Sequence, residues 1–525
     1  MVKLGTIFRL PHPFFAESTD GVKCKIHKNI LHKTDADSLI LTISDLYIKK
    51  MIQEDYLYMQ VAGGIEKMIG EEVLKIGDKL PSVRVLSEEY GISMGTAFQA
   101  YYYLEGKGLI EARPKSGYYV RFNFRRFPQL PKVSDPEPVE REVSVEEMIS
   151  SVFKHMSSED INNFSIPAPP VELLPAAKLN KAIVHSLRAS KNHALAYENV
   201  QGNKDLRKQL AKQAFNWGGK FSEEDIIVTA GCIEALVMCL KAVTKPGDTV
   251  AIESPSYFGI FRIIESLGLK VLEIPTDPVT GIDLDHLAKG IKKFSIKACV
   301  FVPNFSNPLG SCMPDEKKKM LTDLITKHRI PLIEDDIYGE LYFGRNRPKT
   351  CKTFDREGWV LHCSSFSKSL APGYRIGWAI PGRFTQEVLR LKTVHTFASP
   401  SITQLAIAHF LGIGRYEYHL KKLRKSLHTQ CLRYIQGIIQ YFPGDTKVSR
   451  PQGGFVLWIE LNRQVNAYKL YQEALRHRIS IAPGQIFSVQ GQLGNCLRIS
   501  YARPWDPEIE DGLKTLGRLV KRMLD

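Results

Sequence analysis

From Tyr56 to Ile69 apolar residues recur at helical spacing (Leu57, Val61, Ile65, Met68, Ile69), which predicts a first amphipathic helix. Leu74, Ile76 and Leu80 lead into Pro81 and Ser82, and Ser82 is placed to cap a second helix over Val83–Tyr90 that Gly91 ends. Ser93 is placed to cap a third, over Met94–Gly106. Two short helices about a glycine-containing turn make a helix-turn-helix pattern. Leu109–Ala112 and Tyr118–Phe122 then alternate as strands around Arg113-Pro114-Lys115-Ser116-Gly117, so the unit over 51–126 ends in a two-stranded wing. Residues 1–50 show no sustained period and form an N-terminal extension without an assigned role.

Residues 127–160 begin rich in proline and acidic side chains and read as a linker. Beyond them the pattern changes. Apolar runs such as DIIVTAG, TVAIESP, KACVFVPN, IPLIEDD and WVLHCSS alternate with helical stretches, the signature of a parallel sheet covered by helices. A helix-rich stretch from Thr403 is followed by GGFVLWIEL, ISIAPG and CLRISYA, which predict a smaller α+β subdomain. The expected fold class is thus α/β over 161–525, a large domain and a smaller subdomain, behind a winged helix-turn-helix.

Composition narrows the function. The 525 residues hold 71 Lys plus Arg against 56 Asp plus Glu, a net charge of +15 that favours polyanionic partners. The nine cysteines are scattered without a C-x-x-C pair, which argues against a disulfide framework or a zinc site and for a reducing, cytoplasmic setting. No metal is expected. No apolar run approaches the roughly 18 residues of a membrane span, so no membrane is expected either.

The charge and the small polar residues of the head suit DNA. Arg84 follows the Ser82 cap in the first turn of its helix, where it can reach a phosphate; Ser93, Thr96 and Gln99 lie at the start of the third helix, where they can approach base edges; Arg113 and Lys115 sit at the wing tip, with Arg121, Arg125 and Arg126 behind. This segment resembles the winged helix of GntR-type bacterial regulators, through LPS-x-R, L-x-x-x-G-L-I and P-x-S-G-x-Y-V. It departs from them at Met94, where those regulators usually carry a basic residue.

In the second domain the polar residues at strand ends meet the needs of pyridoxal 5'-phosphate. That cofactor needs a lysine for its aldehyde, a carboxylate for its pyridine nitrogen, and donors for its phenolate and phosphate. Lys368, in SSFSKSLAPGYRIGW, supplies the amine, and Asp335, ending IPLIED, the carboxylate. Tyr338 and Asn307 can reach the phenolate oxygen. Ser365, Ser367 and Arg375 surround the lysine with phosphate donors, and Gly231, Cys232 and Ile233 place backbone N–H groups at a strand-to-helix turn that favours a dianion.

These spacings resemble the aminotransferase fold-type I pattern over nearly the whole of 161–525. The resemblance implies that Tyr257 stacks on the pyridine, that Tyr197 crosses a homodimer interface to the neighbour's phosphate, and that Arg498 grips a substrate α-carboxylate. Cys232-Ile233 departs from the small polar residue and Gln or Thr found there in many aminotransferases. A GntR-type winged helix before such a domain resembles the MocR/GabR regulators. That implies a homodimeric transcriptional regulator of promoter DNA that holds its cofactor as a lysine aldimine and responds to an amino-acid or amine effector. The alternative is a working aminotransferase carrying a DNA-binding head.

Overall fold

The computed structural model describes residues 57–70, 73–74, 78–113, 116–120, 128–142, 149–150, 152, 161–190 and 195–525. The 1–50 extension, Lys115, Arg121, Arg125 and Arg126 lie outside the described residues.

Helices α1 (Leu57–Gly70), α2 (Val83–Glu89) and α3 (Met94–Gly106) precede the wing, β1 (Ile110–Arg113) and β2 (Gly117–Val120). The expected caps form, because an exposed serine oxygen takes a first-turn N–H that the helix cannot use: Ser82 Oγ accepts from Val85 N and Ser93 Oγ from Thr96 N. Gly91 adopts φ 61°, the left-handed conformation that turns the chain between α2 and α3. Ala97, Ala100, Tyr101 and Leu104 form the buried face of α3. The Tyr101 hydroxyl donates to Pro81 O at 2.7 Å and its ring lies 4.7 Å from that of Tyr118, tying α3 to both the preceding turn and the wing. β1 and β2 pair antiparallel from Ile110↔Val120 to Arg113↔Gly117.

The described part of the linker is a strap fixed along its length. Arg450 Nη2 donates to Pro128 O (2.9 Å), Val448 N to Gln129 O (3.0 Å) and Lys132 N to Glu460 Oε2 (2.7 Å). Ser134 Oγ then donates to Ser254 O, and Glu137 exchanges two hydrogen bonds with Gln490. Finally β3 (Arg141–Glu142) joins the edge of the large sheet, antiparallel to the strand Lys270–Asp277.

Past β4 (Asn162–Asn163), that sheet is built from β5 (Ile227–Thr229), β6 (Thr249–Ser254), β7 (Lys270–Asp277), β8 (Gly281–Ile282), β9 (Ile296–Phe301), β10 (Leu332–Asp335), β11 (Val360–Ser365) and β12 (Gly377–Ile380). Its order is β3-β7-β6-β9-β10-β11-β12-β5, with β8 off β7. The run β7-β6-β9-β10-β11 is parallel, as the continuous apolar segments predict. β12 is antiparallel to both neighbours, because no crossover helix separates it from β11 and the chain simply folds back. Helix α4 (Cys232–Val243) packs its buried face against this sheet. The long α5 (Arg415–Tyr441) leads to the smaller subdomain, where β13 (Lys447–Val448), β14 (Val456–Glu460), β16 (Ala482–Pro483) and β17 (Cys496–Ser500) form an antiparallel sheet; β15 (Ile479–Ser480) pairs instead with β4. No helix among the described residues is long and apolar enough to cross a membrane.

Candidate cofactor site

The strand ends of β10 and β11 and the start of α4 converge on one pocket. Asp335 and Asp336 follow one another at the end of β10 and face opposite ways, as successive residues of an extended chain must. Asp336 is matched by Arg347, which pairs with its Oδ2, by His362 Nε2 at 3.3 Å and by Asn304 Nδ2 at 2.8 Å. Burial alone would raise Asp336, but Arg347 and His362 overcome it and hold the carboxyl well below the usual carboxylate range. Asp335 is 6% exposed and forms no ion pair among the described residues. Its Oδ1 accepts only a thiol hydrogen bond from Cys232 (3.3 Å) and Ile337 N (3.1 Å). Burial therefore pushes it up to about 6. A buried carboxylate lacking a cation fits a protonated pyridine nitrogen.

Lys368 is half-buried, and its Nζ donates to Pro167 O at 2.6 Å. Burial, aided by the positive charges of Arg498 and Arg375, lowers it to about 8, so roughly a tenth is free amine at pH 7. Around it Ser365 Oγ donates to Ser367 Oγ (2.7 Å), Ser367 N to Ser365 Oγ (2.9 Å) and Arg375 Nη1 to Ser367 Oγ (3.3 Å). Arg375 Nη2 reaches across to Ala230 O (3.0 Å), beside the uncapped start of α4. Gly231 is required there: its φ is 96°, and a Cβ would overlap the Arg375 guanidinium. Behind it, a Cβ on Gly377 would lie 2.5 Å from the Gly231 carbonyl carbon. Cys232 is buried and Ile233 is 44% exposed, so α4 offers backbone N–H groups and no polar side chain at its first two positions.

Arg498 on β17 is wholly buried. Its Nη1 donates to Asn307 Oδ1 at 3.0 Å and its Nη2 to Ser165 O, while Nε is buried without a partner. Burial lowers it to about 10, with the phenols of Tyr338 and Tyr257 opposing. Asn307 Nδ2 lies 3.4 Å from the Tyr338 hydroxyl. Tyr257, half-buried, ends the loop after β6, and its ring covers Gly259, where a Cβ would clash. Lys368, Asp335, Tyr338, Asn307, Tyr257, Ser365, Ser367, Arg375, Gly231, Cys232, Ile233 and Arg498 thus line or border one site. Tyr197 does not join it: the residue is 88% exposed, its ring edge-on to Phe397 at 5.5 Å.

Two contributors escape a side-chain reading of the sequence, Ser165 and Pro167, whose carbonyls engage Arg498 and Lys368. The signal is the run SIPAPP, because prolines have no N–H and leave carbonyls for side chains to take. In the head, the described residues of the expected site lie on α2, α3 and their caps and on β1. Ser82, Arg84 and Ser93 are exposed and Thr96 and Gln99 half-buried, while Arg113 closes β1.

The donor set fits pyridoxal phosphate: one amine, one cation-free carboxylate, a ring to stack, and a cup of two serines, an arginine and a helix start. Known proteins agree. Residues 159–516 match the family model for aminotransferase class I and II, and residues 57–120 that for bacterial regulatory proteins of the gntR family. The HTH-type transcriptional regulator YjiR of Escherichia coli (strain K12) is 38% identical over 89% of this chain and 99% of its own. Among solved structures, LysN, an α-aminoadipate aminotransferase of Thermus thermophilus complexed with N-(5'-phosphopyridoxyl)-L-leucine, aligns at 28% identity and a TM-score of 0.66, covering 72% of this chain and 95% of that one. The kynurenine aminotransferase of Pyrococcus horikoshii, solved with PMP, aligns at 26% and 0.68, with the same coverage. With a regulator matched along nearly its whole length and both family models in the same order, the chain belongs to the MocR/GabR-type HTH transcriptional regulators, a GntR winged helix joined to an aminotransferase class I and II domain.

Proposed function

We propose that this regulator holds pyridoxal phosphate at Lys368 and changes its grip on promoter DNA when an amino-group effector enters the pocket. The cofactor of this domain is pyridoxal phosphate, which when bound supplies an electron sink for bonds at the effector's α-carbon. Asp335 keeps a proton at the pyridine nitrogen. Arg375, Ser365, Ser367 and the N–H groups of Gly231, Cys232 and Ile233 hold the phosphate, Tyr257 stacks on the ring, and Tyr338 and Asn307 meet the phenolate oxygen. Arg498 orients an effector carboxylate, which its unpartnered Nε is free to bind. In a homodimer Tyr197 reaches the partner's phosphate; its exposure, with Leu195 88% and Val394 78% exposed, supports such an interface. The domain limits are 51–126 for the head, 127–160 for the linker and 161–525 for the cofactor domain, and the protein works in the cytoplasm.

The observation that carries the reading is Asp335, a buried carboxylate without a cation, beside a lysine amine with a lowered pKa. The strap supports the link to DNA. It is anchored on the small subdomain at Glu460 and on Ser254, three residues before Tyr257, so it is bonded to both bodies that border the cofactor site. Allostery of this kind needs an effector that binds two states unequally. The test is to titrate purified protein with amino acids one at a time, following visible absorbance and promoter binding together. An amine that changes both supports the proposal; spectral change with unaltered DNA affinity would sink it.

The lowered pKa of Lys368 favours a second reading, in which the same residue moves a proton at the effector's α-carbon. Repeated turnover with a keto-acid acceptor would establish transamination; a single half-reaction would favour the sensor.

A further inference from the structure

The outward face of α3 carries no group able to pair with guanine in the usual way. The helix, MGTAFQAYYYLEG, contains no Lys, Arg or His. Its small hydroxyls bond within the first turn, Ser93 Oγ accepting from Thr96 N at 3.0 Å and lying 2.8 Å from Thr96 Oγ1, and Gln99 is half-buried. Facing outward are Met94 (53% exposed) and Phe98 (53%), one turn apart, while Tyr102, a further turn on, borders a cleft shared with Phe343 and His428. Large apolar side chains aligned on an exposed face call for an apolar surface to cover them.

The major groove offers one apolar group, the 5-methyl of thymine, which only A·T pairs carry. We propose that Met94 and Phe98 read thymine methyl groups, so that the half-site under α3 is chosen by apolar contact. Phosphate affinity then comes from flanking cations such as Arg84, whose side chain is 81% exposed, and from the net charge of +15. The inference rests on the DNA-binding reading of the head and adds the base identity it selects.

The test uses the full-length, cofactor-loaded protein to enrich duplexes from a randomised library, then replaces each thymine of the enriched duplex in turn by deoxyuridine, which removes the methyl and nothing else. Affinity is measured by fluorescence anisotropy at fixed salt. Binding weakens about fourfold for each methyl contacted. Phe98→Ala and Met94→Ala, both at exposed positions, each lose the thymine-over-uracil preference at one position of the half-site, and Phe98→Leu keeps part of it. An enriched duplex bound equally well with thymine or uracil throughout overturns the inference while DNA binding stands, as does a preference that survives both alanine variants. Failure to enrich any duplex overturns the inference together with the DNA-binding reading.

Discussion

In the cofactor pocket the ligand-facing groups are held by one another: Ser365, Ser367 and Arg375 form one hydrogen-bonded chain, Arg498 is fixed by Asn307 and Ser165, and Asp335 by Cys232 and Ile337. On α3 the outward Met94 and Phe98 are exposed, and Ser93 and Thr96 bond to each other within the first turn. The pocket is thus organised before its ligand arrives, whereas the DNA face acquires its order on contact. Loss of one member of a connected buried set is felt by the rest, while losses on an exposed stripe are small and add nearly independently.

The largest break in this comparison is Lys368→Ala. It abolishes covalent, borohydride-reducible attachment of the cofactor and any amine-dependent change in DNA affinity, while circular dichroism stays that of the folded protein. Attachment to the native lysine speeds up as pH rises through about 8, where the amine loses its proton.

The paired aspartates sharpen the contrast within the pocket. Asp336→Asn removes one of the two carboxylates on Arg347, leaving Glu340 at 2.7 Å, takes away the anion facing His362, and destabilises by about 1.5–3 kcal/mol in urea unfolding. Asp335→Asn acts the other way in cofactor-free protein. A folded-state value near 6, above the unfolded one, means the native state binds more protons between about pH 4 and 6, so stability falls as pH rises through that window. The amide removes that slope, keeps an oxygen for Cys232 and Ile337, and gains up to about 3 kcal/mol at pH 7, while cofactor retention weakens. If both variants shift stability in the same direction, the cation-free character of Asp335 is wrong.

Next in size, Arg498→Lys weakens binding of an α-amino acid by about 1.5–3 kcal/mol, roughly 10- to 150-fold, and leaves a simple amine without a carboxylate largely unaffected. The smallest effect is at the head. Arg84→Ala lowers the slope of log affinity against log salt by about one, with no measurable change in melting temperature, because its partner Glu88 is itself exposed.

Much of this was legible in the sequence. The apolar runs marked the strands, and Lys368, Asp335, Asn307 and Arg498, each with commoner uses when taken singly, meet the needs of one cofactor when taken in order along the chain. Hidden from it were contacts made by main chain. Ser165 and Pro167 act through carbonyls that no side-chain pattern records, and β3 is two residues long, too short for any period, so the linker read as a tether where it is a bonded strap. Also hidden was the contact between the Ser93 and Thr96 hydroxyls, which joins the cap to the first turn of α3.

The stacking of Gly377 behind Gly231, and of Gly231 beneath Arg375, sets limits on redesign. A side chain at position 377 meets backbone, and one at 231 meets both a left-handed φ and the guanidinium, so neither position tolerates even a methyl group without dismantling the cup. Efforts to retune this regulator for a cofactor analogue with a different anionic tail have Ser365, Ser367 and the exposed side chain of Ile233 to work with, whereas libraries randomised at either glycine will return the parent.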